Sequence, residues 1–204
     1  MDNFPETVED FLDGQILLIN KPLGWTSFDV VKKIKNLIRT KYSLKKIKVG
    51  HAGTLDPLAT GLLIVCTGKF TKLISKIQGQ EKTYTGTITL GGTTPSYDLE
   101  TEVDNNYETA HITEELIKES TTQFIGEIDQ KPPIFSALKK GGERLYEKAR
   151  RGETIEIESR KVTVREFTIT SIENLEVNFE IKCSKGTYIR SIAHDFGAAL
   201  NSGG

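Results

Sequence analysis

The chain has 204 residues, of which 37% are hydrophobic and 27% are charged, and its formal net charge is −1. A chain of this length buries about 70% of its unfolded surface, so its core needs no disulfides or structural metals. The composition excludes a disulfide-rich secreted scaffold and a chain that is disordered over long stretches. No apolar run approaches the roughly 20 residues that a membrane-spanning helix requires.

The N-terminus and the two cysteines indicate a cytoplasmic protein. The first residues are acidic and lack the apolar run of a signal peptide. Cys66 and Cys183 lie far apart, in apolar segments without metal-ligand neighbours, so we expect both to be reduced and buried. We therefore predict a cytoplasmic location and no membrane partner.

The first part of the chain predicts two buried strands with a helix between them. Apolar runs at residues 14–20 and 61–67 are typical of such strands. Thr26 and Ser27 are N-cap candidates for a helix that continues to about Thr40. Residues 48–60 contain glycines and a proline, which favours a loop, and a short helix is predicted at 71–77. The helix after Ser27 should face the core with Val30, Val31, Ile34, Leu37 and Ile38, and its lysines should face water.

The remaining elements are predicted in the same way. Residues 83–90 alternate as a strand, the acidic segment 96–106 is interpreted as a surface loop, and Thr113 caps a helix that reaches about residue 122. Strands follow at residues 161–172 and 175–183, and then a final helix. The inward residues of the last strand are Val177, Phe179, Ile181 and Cys183, and those of the final helix are Ile189, Ile192, Ala193, Phe196 and Leu200.

This order of elements predicts an α+β fold with a mixed, mostly antiparallel central sheet and flanking helices and loops. No repeat, low-complexity tract or linker divides the sequence. We therefore predict one domain that covers residues 1–204.

Basic residues are concentrated in two segments. Residues 32–48 contain eight lysines and arginines and no acid, whereas acids accumulate at residues 98–119. Such segregation is typical of a surface that binds phosphates, but solvated helix faces explain the charges equally well. The second basic cluster comprises Lys139, Lys140, Arg144, Lys148, Arg150 and Arg151.

The densest group of chemically useful residues is the loop GHAGTLDPLATG at residues 50–61. Its glycines allow the backbone to approach a ligand closely, and Pro57 disfavours a helical conformation at Asp56. Taken alone, the loop favours a structural role for Asp56, in an N-cap or an Asx turn, over a catalytic role.

Five collinear segments change that balance: GQILLINKPLGWTS, KVGHAGTLDPLATGLLIVCTGKFTK, EKTYTGTITLG, QKPPIFSALKKGGERLYEKARRG and CSKGTYIRSIAHDFG. Together they resemble the tRNA pseudouridine-55 synthase family, the B-type pseudouridine synthases. The resemblance extends from about residue 14 to the C-terminal end. GTLDPLATG is highly specific to this family and its close eukaryotic and archaeal relatives.

The resemblance implies a catalytic role for three residues. Asp56 matches the family's catalytic aspartate, and Arg190, in GTYIR, matches the arginine that pairs with this aspartate. Tyr84 matches the tyrosine that stacks on the target base. Without the motifs, Tyr84 would be interpreted as a packing residue in a strand and Arg190 as a surface residue of a helix.

The resemblance also implies five substrate-binding residues. His51 matches a histidine that wedges into the RNA loop, although a loop histidine bonded to its own backbone is an alternative. Tyr188 lines the pocket, and Lys21 belongs to a KP-G motif that borders it. Residues 131–152 resemble a mobile thumb that closes on the RNA, with Lys139 and Arg150 in contact with it.

The implied reaction is isomerisation of uridine 55 in the T-loop of tRNA to pseudouridine, with the target base flipped out of the loop. One ionised carboxylate can serve this reaction by attack or by stabilising a sugar cation, so we expect no metal or redox cofactor. The choice between these two mechanisms stays open. The expected partner is the T-stem-loop of tRNA, bound by a monomer.

The chain departs from the family pattern at its C-terminal end. Family members continue beyond the final helix with a strand that ends in Leu-Arg-Arg-Thr, and many have a C-terminal RNA-binding domain. This sequence stops at Gly204. We therefore expect that strand and that domain to be absent, which leaves the activity of this chain a question separate from the identity of its motifs.

Two other function classes use some of the same residues. An RNA-binding module or RNA chaperone without catalysis would keep the basic clusters but not need both Asp56 and Arg190, and both are present. An aspartate-nucleophile phosphotransferase would need a cluster of metal-binding acids, and none adjoins Asp56 in the sequence.

Overall fold

The computed structural model describes residues 7–153 and 155–204. The chain divides into two compact units, one up to Gln80 and the other Glu81–Gly204. The assignment of the whole chain to one catalytic domain stays a prediction.

The first unit contains a three-stranded sheet and four helical segments. Its strands are β1 (Ile16–Lys21), β2 (Val49–His51) and β3 (Gly61–Thr67), in the antiparallel order β1-β3-β2. Its helices are α1 (Val8–Asp13), α2 (Ser27–Lys41), a 3-10 turn at Gly68–Leu73 and α3 (Ile74–Gln78).

Helix α2 begins where its capping residues predict. The Thr26 hydroxyl accepts a hydrogen bond from the Asp29 amide at 3.1 Å, and the Asp29 carboxylate accepts one from the Thr26 amide at 3.0 Å. This reciprocal capping box satisfies two amides that the first helical turn leaves without intrahelical partners. Ser27 therefore starts the helix with its side chain buried.

One face of α2 packs on the sheet. Val30 contacts Leu63 and Val65 of β3, which confirms the predicted core face, but the inclusion of Leu37 in that face is wrong. Leu37 is 56% exposed. At 3.6 residues per turn it lies about 80° from the centre of the buried stripe, so it falls at the edge of that stripe.

Strand β2 was predicted to be loop. Its three residues pair with β3, so that Val49 lies opposite Thr67 and His51 lies opposite Val65. The glycines around it suggested a loop, and the pairing partner that makes it a strand is supplied by tertiary structure.

The second unit is built on a four-stranded antiparallel sheet. The order is β4-β11-β10-β7, formed by Lys82–Thr89, Glu176–Cys183, Arg160–Glu173 and Gly126–Gln130. Two short ribbons pair β5 (Gly92–Thr93) with β6 (Asn105–Asn106), and β8 (Lys139–Lys140) with β9 (Glu143–Arg144). The helices are α4 (Glu114–Ser120), a 3-10 turn at Thr121–Phe124, α5 (Leu145–Arg150) and α6 (Ile189–Ala199).

The core of the second unit lies between this sheet and α6. The inward residues of β11 alternate as predicted, with Val177, Ile181 and Cys183 fully buried, and Phe196 of α6 packs against Phe167 of β10 with ring centroids 5.3 Å apart. The residues that alternate along the strand and those that recur every 3.6 positions along the helix therefore pack in one apolar layer. Cys66 and Cys183 are both free and buried, as predicted.

The α+β prediction is confirmed, and every strand pair in the described part of the chain is antiparallel. The description of residues 96–106 as a surface loop is wrong at its start, because Ser96 is fully buried. Within the described residues, no helix combines the length and apolar character needed to span a membrane.

Candidate active site

Asp56 lies, half-buried, on the loop between β2 and β3. Ser27 holds the residue before it, because the Ser27 hydroxyl donates to the Leu55 carbonyl at 3.2 Å and accepts from the Leu55 amide at 2.9 Å. Gly24 holds the residue after it, since its amide donates to the Pro57 carbonyl at 2.8 Å. The backbone of Asp56 is thus fixed on one side by the first residue of α2 and on the other by the turn that precedes this helix.

Lys21, at the end of β1, is fully buried. Its ammonium donates to the carbonyls of Trp25 at 2.6 Å, Pro22 at 3.0 Å and Pro57 at 3.3 Å. Burial lowers the pKa of Lys21, and the charge of the Asp56 carboxylate opposes that shift. The ammonium therefore ties the turn before α2 to the Asp56 loop, while the predicted contact of Lys21 with substrate stays a prediction.

His51 is the last residue of β2 and is half-buried. Its Nδ1 lies 2.6 Å from the Gly53 carbonyl oxygen. Because a carbonyl oxygen only accepts, this bond requires the proton on Nδ1, and it sets the orientation of the ring. The hydrogen bond to the backbone, which was the alternative for His51, thus involves only the Nδ1 atom of the ring. The insertion of His51 into the RNA loop stays a prediction.

In the second unit, Arg190 lies in the first turn of α6 and its side chain is 12% exposed. Its Nη1 donates to the Ser96 carbonyl at 2.8 Å and its Nη2 donates to the Phe135 carbonyl at 3.0 Å. Its Nε lies 3.6 Å from a carboxylate oxygen of Asp98, whose side chain is 17% exposed. The planar guanidinium is therefore held on several edges, which a lysine could not reproduce.

Tyr188 caps α6, and Gln130 brackets its backbone. The Gln130 amide oxygen accepts from the Tyr188 amide at 2.8 Å, and its amide nitrogen donates to the Tyr188 carbonyl at 3.0 Å. The Arg160 guanidinium lies 4.8 Å from the Tyr188 ring centroid, within the range of a cation–π contact. Ser191 adds a hydrogen bond to the Lys131 carbonyl at 2.8 Å, so the start of α6 is tied to the beginning of segment 131–152.

Tyr84 is half-buried on β4, opposite Ile181, and packs against the core. Lys139 is exposed on β8. Arg150, at the end of α5, forms an exposed ion pair with Glu100 at 3.2 Å and lies over the Tyr146 ring at 5.5 Å. All eight basic residues between 32 and 48 are exposed, as their position on α2 and the following turn predicts.

No group of three or more His, Cys, Asp or Glu residues with metal-binding geometry occurs in residues 7–153 and 155–204. The polar groups described for the first unit are the Asp56 carboxylate and the buried Lys21, and those for the second unit are Arg190 and Asp98.

Comparison with known proteins decides the family. The family described as "TruB family pseudouridylate synthase (N terminal domain)" matches residues 39–189. The chain belongs to the TruB family.

Two curated relatives show how far the similarity to TruB proteins extends. The chain is 66% identical over 198 residues to tRNA pseudouridine synthase B of Flavobacterium johnsoniae, covering 97% of this chain and 86% of that protein. It is 52% identical to the protein of the same name from Phocaeicola vulgatus, covering 95% of this chain and 83% of the relative. As a member of this family the chain is a pseudouridylate synthase, an isomerase, and the predicted enzyme class is confirmed.

Solved structures agree on the fold. A chain in the crystal structure of a Cbf5-Nop10-Gar1 complex superposes with a TM-score of 0.69 at 29% identity, covering 97% of this chain and 48% of that chain. A chain in the structure of an H/ACA RNP bound to a substrate RNA containing 2'-deoxyuridine has a TM-score of 0.65 at 26% identity, covering 97% and 46%. The pseudouridine synthase fold is thereby confirmed.

Sequence reasoning missed the contacts of three residues that hold candidate site residues: Asp98 with Arg190, Gln130 with Tyr188, and Ser27 with Leu55 beside Asp56. The sequence places Asp98 in an acidic surface loop, gives Gln130 no role and marks Ser27 only as a cap. No local pattern identifies Asp98, because its partner Arg190 lies far along the chain.

Proposed function

We propose that this TruB enzyme converts uridine 55 in the T-loop of tRNA to pseudouridine, with Asp56 as the catalytic carboxylate and the target base flipped out of the loop. The observation that carries the proposal is the half-buried carboxylate of Asp56 on a loop whose backbone is held on both sides. A carboxylate in a fixed position can meet a reacting atom without first being ordered.

The reaction breaks the bond between ribose C1' and uracil N1 and joins C1' to C5 of the same ring. The C5 proton is lost to water, and N1 takes up a proton from water in its place. An ionised Asp56 would either form a temporary covalent bond or stabilise positive charge on the sugar. The nearby ammonium of Lys21 attracts the Asp56 carboxylate and supports its ionised form. Neither route needs a metal or a redox cofactor.

Tyr84 and Arg190 are proposed as the catalytic partners of Asp56, and Tyr188 as a wall of the uracil pocket. The half-buried ring of Tyr84 suits stacking on a base. Arg190 is supported by its fixed guanidinium, which is held by Ser96, Phe135 and Asp98. The charge pairing of Arg190 with Asp56 stays a prediction.

A uridine must leave its stack before this chemistry, at a cost of a few kcal/mol that is smallest in a loop. We assign His51 to the wedge that fills the space left by the base. Lys21 is proposed to support the site through the loop carbonyls that it binds. Lys139, Arg150 and the basic residues of α2 are proposed to bind phosphates of the T-stem-loop, and the enzyme to act as a cytoplasmic monomer.

The test is tritium release from C5-labelled uridine in a T-stem-loop RNA. Wild-type enzyme is expected to release tritium, and Asp56→Asn is expected to release none while binding the RNA with unchanged Kd. Asp13→Asn is the matched control, because Asp13 is an exposed carboxylate of the same unit that pairs with Lys69. It should behave as wild type.

Two results would contradict the proposal. Tritium release by Asp56→Asn at the wild-type rate would remove Asp56 from catalysis. RNA binding without release by the wild-type chain, with its fold intact, would favour an RNA-binding module over an enzyme.

A further inference from the structure

Helix α6 contacts one loop with two side chains four residues apart. Arg190 binds the Ser96 carbonyl and the Asp98 carboxylate, and His194 stacks on Tyr97 with ring centroids 3.9 Å apart and planes inclined by 11°. Residues at i and i+4 lie on the same helical face. Three consecutive loop residues are therefore bound by one face of α6.

Tyr97 has an unusual backbone conformation, with φ of +60°. The left-handed region costs a non-glycine residue roughly 1–2 kcal/mol, so it persists only where surrounding contacts hold it. Tyr97 lies between the two groups that Arg190 binds. A return of Tyr97 to negative φ would turn the Ser96 carbonyl and the Asp98 side chain away from their present directions.

The loop itself supplies a second set of contacts. The Thr94 hydroxyl donates to the Asp98 carbonyl at 2.7 Å and accepts from the Asp98 amide at 3.1 Å. The Ser96 and Thr101 hydroxyls lie 2.7 Å apart. These bonds close the loop on itself, whereas Arg190 and the stacked rings connect it to α6.

The buried position of His194 lowers the stability of the fold through one of its ring nitrogens. Its Nδ1 is buried and has no hydrogen-bond partner within the described residues. A buried polar atom without a partner is destabilising, so the contribution of this side chain comes from its flat ring rather than from hydrogen bonding at Nδ1. A stacked aromatic pair adds about 0.5–1.5 kcal/mol beyond its buried area.

We propose that the stacked rings of Tyr97 and His194 form a positioning device that holds Asp98 against Arg190. Neither ring needs to touch the RNA, because both act through the carboxylate of Asp98. The catalytic consequence rests on the proposed function, whereas the structural consequence for the loop does not.

The first experiment compares His194→Ala with His194→Phe in single-turnover tritium release at saturating T-stem-loop RNA. His194→Ala should lower the rate on the order of tenfold with the Kd for RNA changed less than about twofold. His194→Phe keeps a flat ring and should restore the rate. An unchanged rate in His194→Ala, or an equal loss in both variants, would overturn the proposal.

His111→Ala is the matched control for stability. His111 Nε2 lies 2.8 Å from the Leu200 carbonyl oxygen at the other end of α6, so its loss loosens the same helix without touching the loop. Its Tm should fall while its rate at saturating RNA stays at the wild-type value. If the rate falls together with the Tm in all these variants, His194 contributes only packing, and the proposal is overturned.

A double-mutant cycle tests whether His194 acts through Asp98. In an Asp98→Asn background, adding His194→Ala should lower the rate no further, because the positioned carboxylate has already gone. Losses that multiply would show that His194 acts by another route.

Amide hydrogen exchange separates this proposal from the proposed function. Exchange of the Asp98 amide should accelerate in His194→Ala and return to the wild-type rate in His194→Phe. If the wild-type enzyme releases no tritium, the proposed function fails. The exchange comparison still tests whether the stack of Tyr97 and His194 holds the loop at Asp98. Unchanged exchange in His194→Ala would overturn it.

Discussion

Two loops of this molecule each present an acid, and they are held by different means. The Asp56 loop of the first unit is fixed by its backbone, through Ser27, Gly24 and the ammonium of Lys21. In the Asp98 loop of the second unit, Arg190 binds the Ser96 carbonyl and faces the Asp98 carboxylate, and the ring of His194 stacks on Tyr97. The contacts described for the Asp56 loop are made to its backbone, whereas those of the Asp98 loop include the Asp98 carboxylate, which faces the guanidinium of Arg190.

The same substitution in the two loops should therefore have unequal effects. We expect Asp56→Asn to lower tritium release on the order of 10³-fold or more, and Asp98→Asn only about tenfold, because one change removes a reacting group and the other loosens a support. Single-turnover assays at saturating RNA measure both. Equal losses would contradict the distinction between the loops.

Arg190→Lys tests whether the Asp98 loop needs the geometry of the guanidinium or only its positive charge. Lysine keeps the charge but not the planar fork that binds Ser96, Phe135 and Asp98. We expect a loss of about 100-fold in rate, because an error of position near the chemistry has effects of that size. A variant with the wild-type rate would show that charge alone suffices.

Removing one hydroxyl from each loop should have a smaller effect. Ser27→Ala loses two hydrogen bonds to Leu55, and Ser96→Ala loses those to Asp98 and Thr101. Each should lower the free energy of unfolding by about 1–2 kcal/mol, because buried groups lose their partners. Urea unfolding measures this. Amide exchange should rise at Leu55 in the first variant and at Ser96 in the second, and exchange that spreads to both loops in either variant would contradict separate supports.

The smallest expected effect is a pH dependence that belongs to the Asp56 loop. Burial lowers the pKa of Lys21 below its usual 10.5. Between the folded-state pKa and 10.5 the unfolded chain binds more protons, so the contribution of Lys21 to the free energy of unfolding rises with pH in that window. Below the folded-state pKa the contribution is constant.

The free energy of unfolding of wild type minus that of Lys21→Met isolates this titration. The difference should be flat at lower pH and rise as the pH approaches 10.5. Asp98→Asn combined with Lys21→Met, compared with Asp98→Asn alone, should show the same rise, since the carbonyls that Lys21 binds belong to the first unit. A difference that falls with increasing pH would contradict burial as the cause.

Much of the fold was predictable because it depends on local patterns. The capping box at Thr26 and Asp29 sets the start of α2, and the alternation of Val177, Phe179 and Ile181 identifies β11. The family and the enzyme class followed from collinear motifs. The roles of the individual site residues stay predictions.

The errors occurred where a residue's state depends on a partner distant in sequence. β2 is a strand because β3 pairs with it, and Leu37 is exposed because it falls just outside the packed stripe. Ser96 and Asp98 are withdrawn from solvent because Arg190, more than 90 positions later, binds them. An acidic segment was therefore interpreted as solvated when its start is part of a buried cluster.

The sequence by itself determined the family, the reaction class, the principal helices and strands and the identity of Asp56 as the candidate carboxylate. Motif spacing, capping residues and hydrophobic periodicity are properties of neighbouring residues, so they can be recognised without coordinates. Only the tertiary structure decided that Lys21 is a buried support, that Gln130 brackets Tyr188 and that Tyr97, at positive φ, stacks on His194. Each of these depends on the directions of groups brought together by folding, which no local pattern specifies.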